Sequence, residues 1–200
     1  MPQPQRPVRI LGLDPGLNHT GWGVIEIEGP RERFIACGVF DIPKGELSKR
    51  LGDIARRVSA AAAEHAPTLC AIERVFVNAN PQSTLRLGQA RGAAIAAADL
   101  AGLAVEEFTP SEIKQAVTGT GTADKEMVQT MVVRLLSLAD TPRPDAADAL
   151  ACAICCANAL KLRALERQGA TVRAYATARH GASSRGSRAA WTRLAEKAGK

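Results

Sequence analysis

The sequence predicts an α/β fold in which a five-stranded mixed sheet, three antiparallel strands followed by parallel crossovers, is flanked by helices. Three observations carry this. Short apolar runs bounded by Gly and Pro turns dominate the first 42 residues. Helical spacing of apolar residues then alternates with two further short apolar runs. The last third holds only helical patterns and a polar tail.

Val8 to Asp14 reads as a buried strand stopped by Asp14-Pro15-Gly16. Gly21 to Ile27 and Arg33 to Ile42 read as the next two strands, with Gly29-Pro30 as the turn between them. Short turns imply an antiparallel meander. From Glu46 to His65, apolar Leu47, Leu51, Ile54 and Val58 recur at helical spacing, and Pro67 ends the run. Leu69 to Glu73 is a fourth strand, Pro81 to about Leu100 a helix, and Ala104 to Phe108 a fifth strand after Gly102. Thr109-Pro110-Ser111-Glu112 opens a short helix, Gly119 and Gly121 mark a loop, and Asp124–Leu138 and Pro144–Leu165 are the last helices. Strands four and five would return parallel to the first.

Residues 1–168 are expected to form one domain and residues 169–200 a basic, flexible tail. Within that tail, 181–188 reads as a linker and 189–197 as a short basic helix. The charge distribution supports the division. The chain carries +6, yet residues 167–200 hold eight basic residues against one acid, so the rest is close to neutral. The basic balance is a tail property, and nucleic-acid binding by the domain has to rest on where its residues stand.

Apolar residues make up 46% and charged residues 23%, as in an ordinary soluble protein, and aromatics only 4%. Residues 1–7 lack the apolar run of a signal peptide, and neither Val8–Leu13 nor Ala149–Leu160 is long enough to span a membrane. A cytoplasmic location is the expectation. Five cysteines are an odd count for a disulfide framework. Cys152 and Cys155 form a C-x-x-C without a second ligand pair, which reads as small apolar filling of a buried helix.

Four acids stand at element ends. Asp14 closes the first strand and Glu73 the fourth. Asp145 and Asp148, three residues apart, share one face at the start of the last helix. Parallel neighbouring strands would set Asp14 beside Glu73, where like charges repel unless a cation lies between them. Carboxylate oxygens suit Mg²⁺ or Mn²⁺, and two such ions support in-line phosphodiester hydrolysis. Each acid has an ordinary reading as well. Asp14 suits a turn, Glu73 could pair with Arg74, and Asp145 is a first-turn helix acid. Their joint placement favours the cluster.

The segments Leu11-Gly12-Leu13-Asp14-Pro15-Gly16 with Thr20-Gly21-Trp22-Gly23, Ile72-Glu73-Arg74-Val75-Phe76 through Leu87-Gly88-Gln89-Ala90-Arg91-Gly92, Ile113-Lys114-Gln115 through Ala123-Asp124-Lys125, and Asp145-Ala146-Ala147-Asp148-Ala149-Leu150 occur in order over about residues 9–165. Together they resemble the RuvC family of Holliday junction resolvases. The resemblance implies an RNase H-like fold, a homodimer, and Mg²⁺-dependent symmetric nicking of four-way junction DNA that leaves 5′-phosphates. It also implies work beside the RuvA–RuvB branch-migration complex and a T-rich cleavage sequence. By motif, Asp14, Glu73, Asp145 and Asp148 match the metal-binding tetrad, with two Mg²⁺ per site and Mn²⁺ as a substitute. Some relatives carry histidine where Asp145 stands.

Phe76 matches the family's aromatic wedge at the crossover, though it would also serve as core. Lys114 and Lys125 match lysines near the scissile strand. Arg74, Arg86 and Arg91 are candidate phosphate contacts. Small residues on the long helix, Gly88, Gly92, Ala93 and Ala96, suit either a dimer contact or internal packing, and His19 has no assigned role. The rival readings are another RNase H-like nuclease acting on RNA:DNA hybrids, an actin-like ATPase suggested by the Gly12–Gly16 loop, and a non-catalytic junction binder. The ATPase lacks a second phosphate motif, and the binder would gain nothing from four acids facing phosphate.

Overall fold

A computed structural model describes residues 7–74 and 80–167 of the chain. Its elements run β1 (Val8–Asp14), β2 (His19–Glu28), β3 (Arg31–Asp41), α1 (Leu47–His65), β4 (Leu69–Glu73), α2 (Pro81–Leu100), β5 (Ala104–Phe108), α3 (Pro110–Thr118), α4 (Lys125–Leu136) and α5 (Pro144–Arg167). The sheet order is β3-β2-β1-β4-β5. β1 and β3 both run antiparallel to β2, and β4 and β5 are added parallel to β1. The expected mixed sheet is therefore present. Phe76 and the tail, with its expected linker 181–188 and helix 189–197, lie outside the described residues.

Several strand and helix ends differ from the sequence reading by one or two residues, and the starts of β2 and β3 have a clear cause. β2 starts at His19 rather than Gly21, because His19 and Thr20 already pair with Asp41 and Phe40. β3 starts at Arg31 because the hairpin turn is only Gly29-Pro30. Gly29 has φ 57°, the positive value that the first central position of a II′ turn requires. A β-bulge also shifts the β2–β3 register at Val24/Ile25, which the apolar pattern alone did not signal.

Strand alternation divides the core into two clusters. Leu11, Leu13, Val24, Cys70 and Ile72 pack beneath α1 and α2, with Ile54, Val58, Ala90 and Ala94. Ile10, Ile25 and Ala71 point the other way, toward Ile113, Val132, Leu150 and Ile154 of α3, α4 and α5. Asp14 and Glu73 continue the second set by the period of two, so both lie on the α5 side of the sheet.

α5 is the central helix, and every residue from Ala149 to Ala157 is buried. Its Ala and Cys side chains are short enough to let it lie between the sheet and α3–α4. The cysteines behave as apolar filling: all five are free thiols, and burial pushes Cys70 and Cys156 up to about 12. Among the described residues no helix is long and apolar enough to cross a membrane.

Local chemistry fixes the shorter helices. Thr109 and Glu112 form a reciprocal capping box at α3, with Thr109 N–H donating to Glu112 Oε2 at 2.7 Å and Glu112 N–H to Thr109 Oγ1 at 3.2 Å. Asp124 caps α4 by accepting from Met127 N–H at 2.8 Å, which sets Lys125 at its first turn.

Candidate active site

The site forms where β1 and β4 end beneath the start of α5. Leu13 pairs with Ile72, so the next residues along, Asp14 and Glu73, are neighbours across the parallel ladder. Asp14 pairs with Gly21 on its other side.

The turn after Asp14 is held rigidly. Fully buried Thr20 donates through Oγ1 to Gly16 O at 2.9 Å and accepts from Gly16 N–H at 3.3 Å. A Cβ on Gly16 would stand 2.4 Å from His19 O, so only glycine closes this turn. Arg50 of α1 donates to Leu17 O at 2.6 Å and Asn18 Oδ1 at 2.7 Å.

Three glycines admit α5 to the sheet. A Cβ on Gly12 would lie 2.0 Å from Ala149 O, on Gly21 1.9 Å from Asp145 O, and on Gly23 2.6 Å from Leu150 Cδ2. Real Cβ atoms do not approach so closely, so at Gly12 and Gly21 backbone meets backbone, and at Gly23 the Leu150 side chain fills the space. The Gly21 contact brings the first turn of α5 directly over the strand partner of Asp14. Asp145 and Asp148 consequently overhang the ends of β1 and β4.

The electrostatics follow from this crowding. Asp14 is pushed up to about 7, chiefly by burial, then by Asp148, Glu73 and Asp145, with Lys125 opposing. Burial and Asp148 also raise Glu73, against Lys114 and Lys125. Lys125 Nζ lies 2.7 Å from Asp148 Oδ2, and this hydrogen bond holds the ammonium above its ordinary pKa.

The four acids meet through their charges rather than through contact. Among the described residues, no three His, Cys, Asp or Glu side chains close round a point as a finished metal cage would. The donor set nevertheless suits a hard cation. It is all oxygen, its central acid is destabilised by three others, and a lysine ammonium already stands against one of them.

The basic candidates divide. Lys114 is half-buried on α3 and acts on Glu73. Arg74 is exposed, 3.9 Å from Glu107, and Arg86 is exposed on α2. Arg91 is different: its side chain is only 18% exposed, and it donates to Glu73 O at 2.8 Å and Glu107 Oε2 at 2.5 Å. Its place in the fold is a brace behind Glu73.

Residues not singled out in the sequence also shape the site. Arg143, directly before α5, forks onto Asp41 at the end of β3, and His19 shares the same carboxylate. These partners are 102 residues apart, and no local pattern joins them. The glycine–alanine contact had a visible trace, since Gly12, Gly21 and Gly23 alternate along two strands while α5 is rich in alanine.

Comparison with known proteins agrees with this geometry. The family model described as crossover junction endodeoxyribonuclease RuvC matches residues 10–156. A protein of that name from Hyphomonas neptunium is 56% identical over 158 residues, covering 78% of this chain and 95% of the relative. Another, from Burkholderia vietnamiensis, is 55% identical over 151 residues, covering 76% and 84%. Among solved structures, Thermus thermophilus RuvC in complex with a Holliday junction substrate superposes with a TM-score of 0.73 at 33% identity, covering 78% of this chain and 96% of that one. The yeast mitochondrial resolvase Ydc2, 13% identical with a TM-score of 0.59, shares the fold. A chain matched by the family model across most of its described length, with relatives above half identity, belongs to the RuvC family of crossover junction endodeoxyribonucleases.

Proposed function

We propose that this chain resolves four-way DNA junctions by metal-dependent nicking at Asp14, Glu73, Asp145 and Asp148. The observation that carries the reading is Asp14, a strand-end acid pushed up to about 7 among three other acids and beneath a lysine. Such crowding opposes folding unless a cation relieves it, and a phosphodiester substrate brings its charge to the same place.

Asp14, central to the group, would hold two Mg²⁺ jointly, with Glu73 on one side and Asp145 and Asp148 on the other; Mn²⁺ would serve similarly. The cations would acidify a nucleophilic water and neutralise charge on the phosphoryl group and departing 3′-oxygen. Lys125, exposed and hydrogen-bonded to Asp148, would exchange that carboxylate for the scissile phosphate, and Lys114 would balance Glu73. Arg74 and Arg86 would meet the DNA backbone, while Arg91 keeps Glu73 in position. Phe76 remains the candidate for stacking at the crossover.

A homodimer would match the twofold symmetry of a junction. The outward face of α2 is the proposed contact: Leu85 is 62% exposed there, and Gly88 and Gly92 have open space above them. The division into a nuclease domain, 1–168, and a basic tail, 169–200, belongs to the same proposal, as do action beside RuvA–RuvB and a cytoplasmic setting.

The test is incubation with a labelled four-way junction, a linear duplex and an RNA:DNA hybrid, with Mg²⁺ or with EDTA. Paired, ligatable nicks on the junction alone, and only with Mg²⁺, are expected. Cutting of the hybrid instead, or ATP hydrolysis without cutting, would overturn the assignment.

A further inference from the structure

Seven residues, 137–143, separate α4 from α5, and Arg143 O accepts the first helical hydrogen bond from Ala147 N–H at 3.0 Å. Among the described residues, two side chains from outside hold this entry at Pro142 and Arg143. Gln129 of α4 donates through Nε2 to Pro142 O at 2.9 Å. Asp41, the last residue of β3, accepts both prongs of Arg143, Nη1 on Oδ2 and Nη2 on Oδ1, each at 3.1 Å. His19 Nδ1 lies 2.8 Å from the same Oδ1, across the β2–β3 ladder that pairs His19 with Asp41. The carboxylate is thereby fixed from the sheet side before it meets the arginine.

The guanidinium is half exposed and Asp41 more so, at 52% and 63% of their side chains. An ion pair that open adds little to global stability. Its geometry is specific all the same, because a two-pronged contact fixes orientation as well as distance. Arg143 is two residues from Asp145, whose backbone carbonyl rests on Gly21. A clamp on Arg143 and a stop at Gly21 together determine the rotation of the first helical turn. We infer that the Asp41–Arg143 clamp, oriented by His19, is a positioning device that aims Asp145 at Asp14, linking the outer strand of the sheet to the metal site.

The inference rests on the reading of Asp145 as a metal ligand, and the experiment separates the two. Mn²⁺ is titrated into DNA-free protein and followed by EPR, for wild type, D41N, R143Q, R143K and the D41N/R143Q double variant. Melting temperature without metal and junction affinity in EDTA are measured alongside. D41N and R143Q are each expected to weaken Mn²⁺ binding about tenfold, as loss of an outer support commonly does. The double variant should be no weaker than either single one, since both remove the same clamp. R143K should fall between, because lysine keeps the charge without the fork. Melting should move by no more than about 2–4 °C, and junction affinity by less than about twofold.

Charge alone predicts something else: D41N and R143Q shift Mn²⁺ affinity in opposite directions, and that result would overturn the inference. So would unchanged Mn²⁺ binding in D41N. A fall in junction affinity for R143Q with Mn²⁺ binding intact would make Arg143 a phosphate contact and also overturn it. A wild-type chain that binds no Mn²⁺ would instead remove the underlying metal-site reading.

Discussion

The backbone carbonyl of Asp145 rests on Gly21, 1.9 Å from where a Cβ would stand. Gly21 is the ladder partner of Asp14, so one hydrogen atom in place of a methyl group sets the spacing between an acid of β1 and an acid of α5. Gly21→Ala should push the first turn of α5 outward. The expected loss is about 1–3 kcal/mol of stability, read by urea unfolding, together with a steep fall in nicking. A Gly21→Ala protein that cuts at the wild-type rate would show that α5 is free to adjust.

Asp14 gives the molecule an unusual response to pH. Its folded pKa of about 7 lies above the 3.8 of the unfolded chain, so the native state binds more protons between those values. Stability without metal must therefore fall as pH rises through this window, by about 2–3 kcal/mol from pH 5 to pH 8. Glu73, raised in the same sense, adds to the fall. Glu26, Asp41 and Glu106 are lowered and act the opposite way, but only as pH drops into the ordinary carboxylate range. Thermal melts in EDTA across this range check the sign, and Mg²⁺ should restore most of the loss at pH 8.

Asp14→Asn separates stability from activity. Without metal at pH 8 the variant should be more stable than wild type by about 2 kcal/mol, because the amide removes the repulsion. It should bind junctions and fail to cut them. Retained cutting would remove Asp14 from the metal site.

Lys125 competes with the cation it is proposed to assist. Its ammonium lies 2.7 Å from Asp148, where positive charge would otherwise come from a metal. Lys125→Met should tighten Mn²⁺ binding by about twofold to tenfold while slowing single-turnover cutting. Weaker Mn²⁺ binding in this variant would contradict a stand-in role.

Arg91 should separate from the exposed arginines. Arg91→Lys loses the fork between Glu73 O and Glu107, and its defect should lie in cutting rate and metal affinity. Arg86→Ala should weaken junction binding alone and reduce its salt dependence. A pure binding defect in Arg91→Lys would return it to the phosphate contacts.

The mixed sheet was legible because alternation and turn residues are local signals, and parallel pairing of β1 with β4 sets Asp14 beside Glu73 as the sequence reading expected. That Asp145 and Asp148 share one helix was legible from their three-residue spacing. The shape of the site was less so. The contact of Gly12, Gly21 and Gly23 with α5 is written as small residues on both partners, yet nothing local says which helix meets which strand. The Asp41–Arg143 clamp and the Arg91 brace depend on the third dimension altogether. Arginine looks alike in sequence whether it meets phosphate or supports a carbonyl.

The glycine-lined contact also dictates an order of events during synthesis. β1, with Asp14, leaves the ribosome before the helix carrying Asp145 and Asp148, which follows some 130 residues later. Until that helix docks, the groove over Gly12, Gly21 and Gly23 has no occupant and Asp14 no neighbours from α5. A nascent chain is thus unarmed: the proposed site is complete only when segments far apart in the sequence have met.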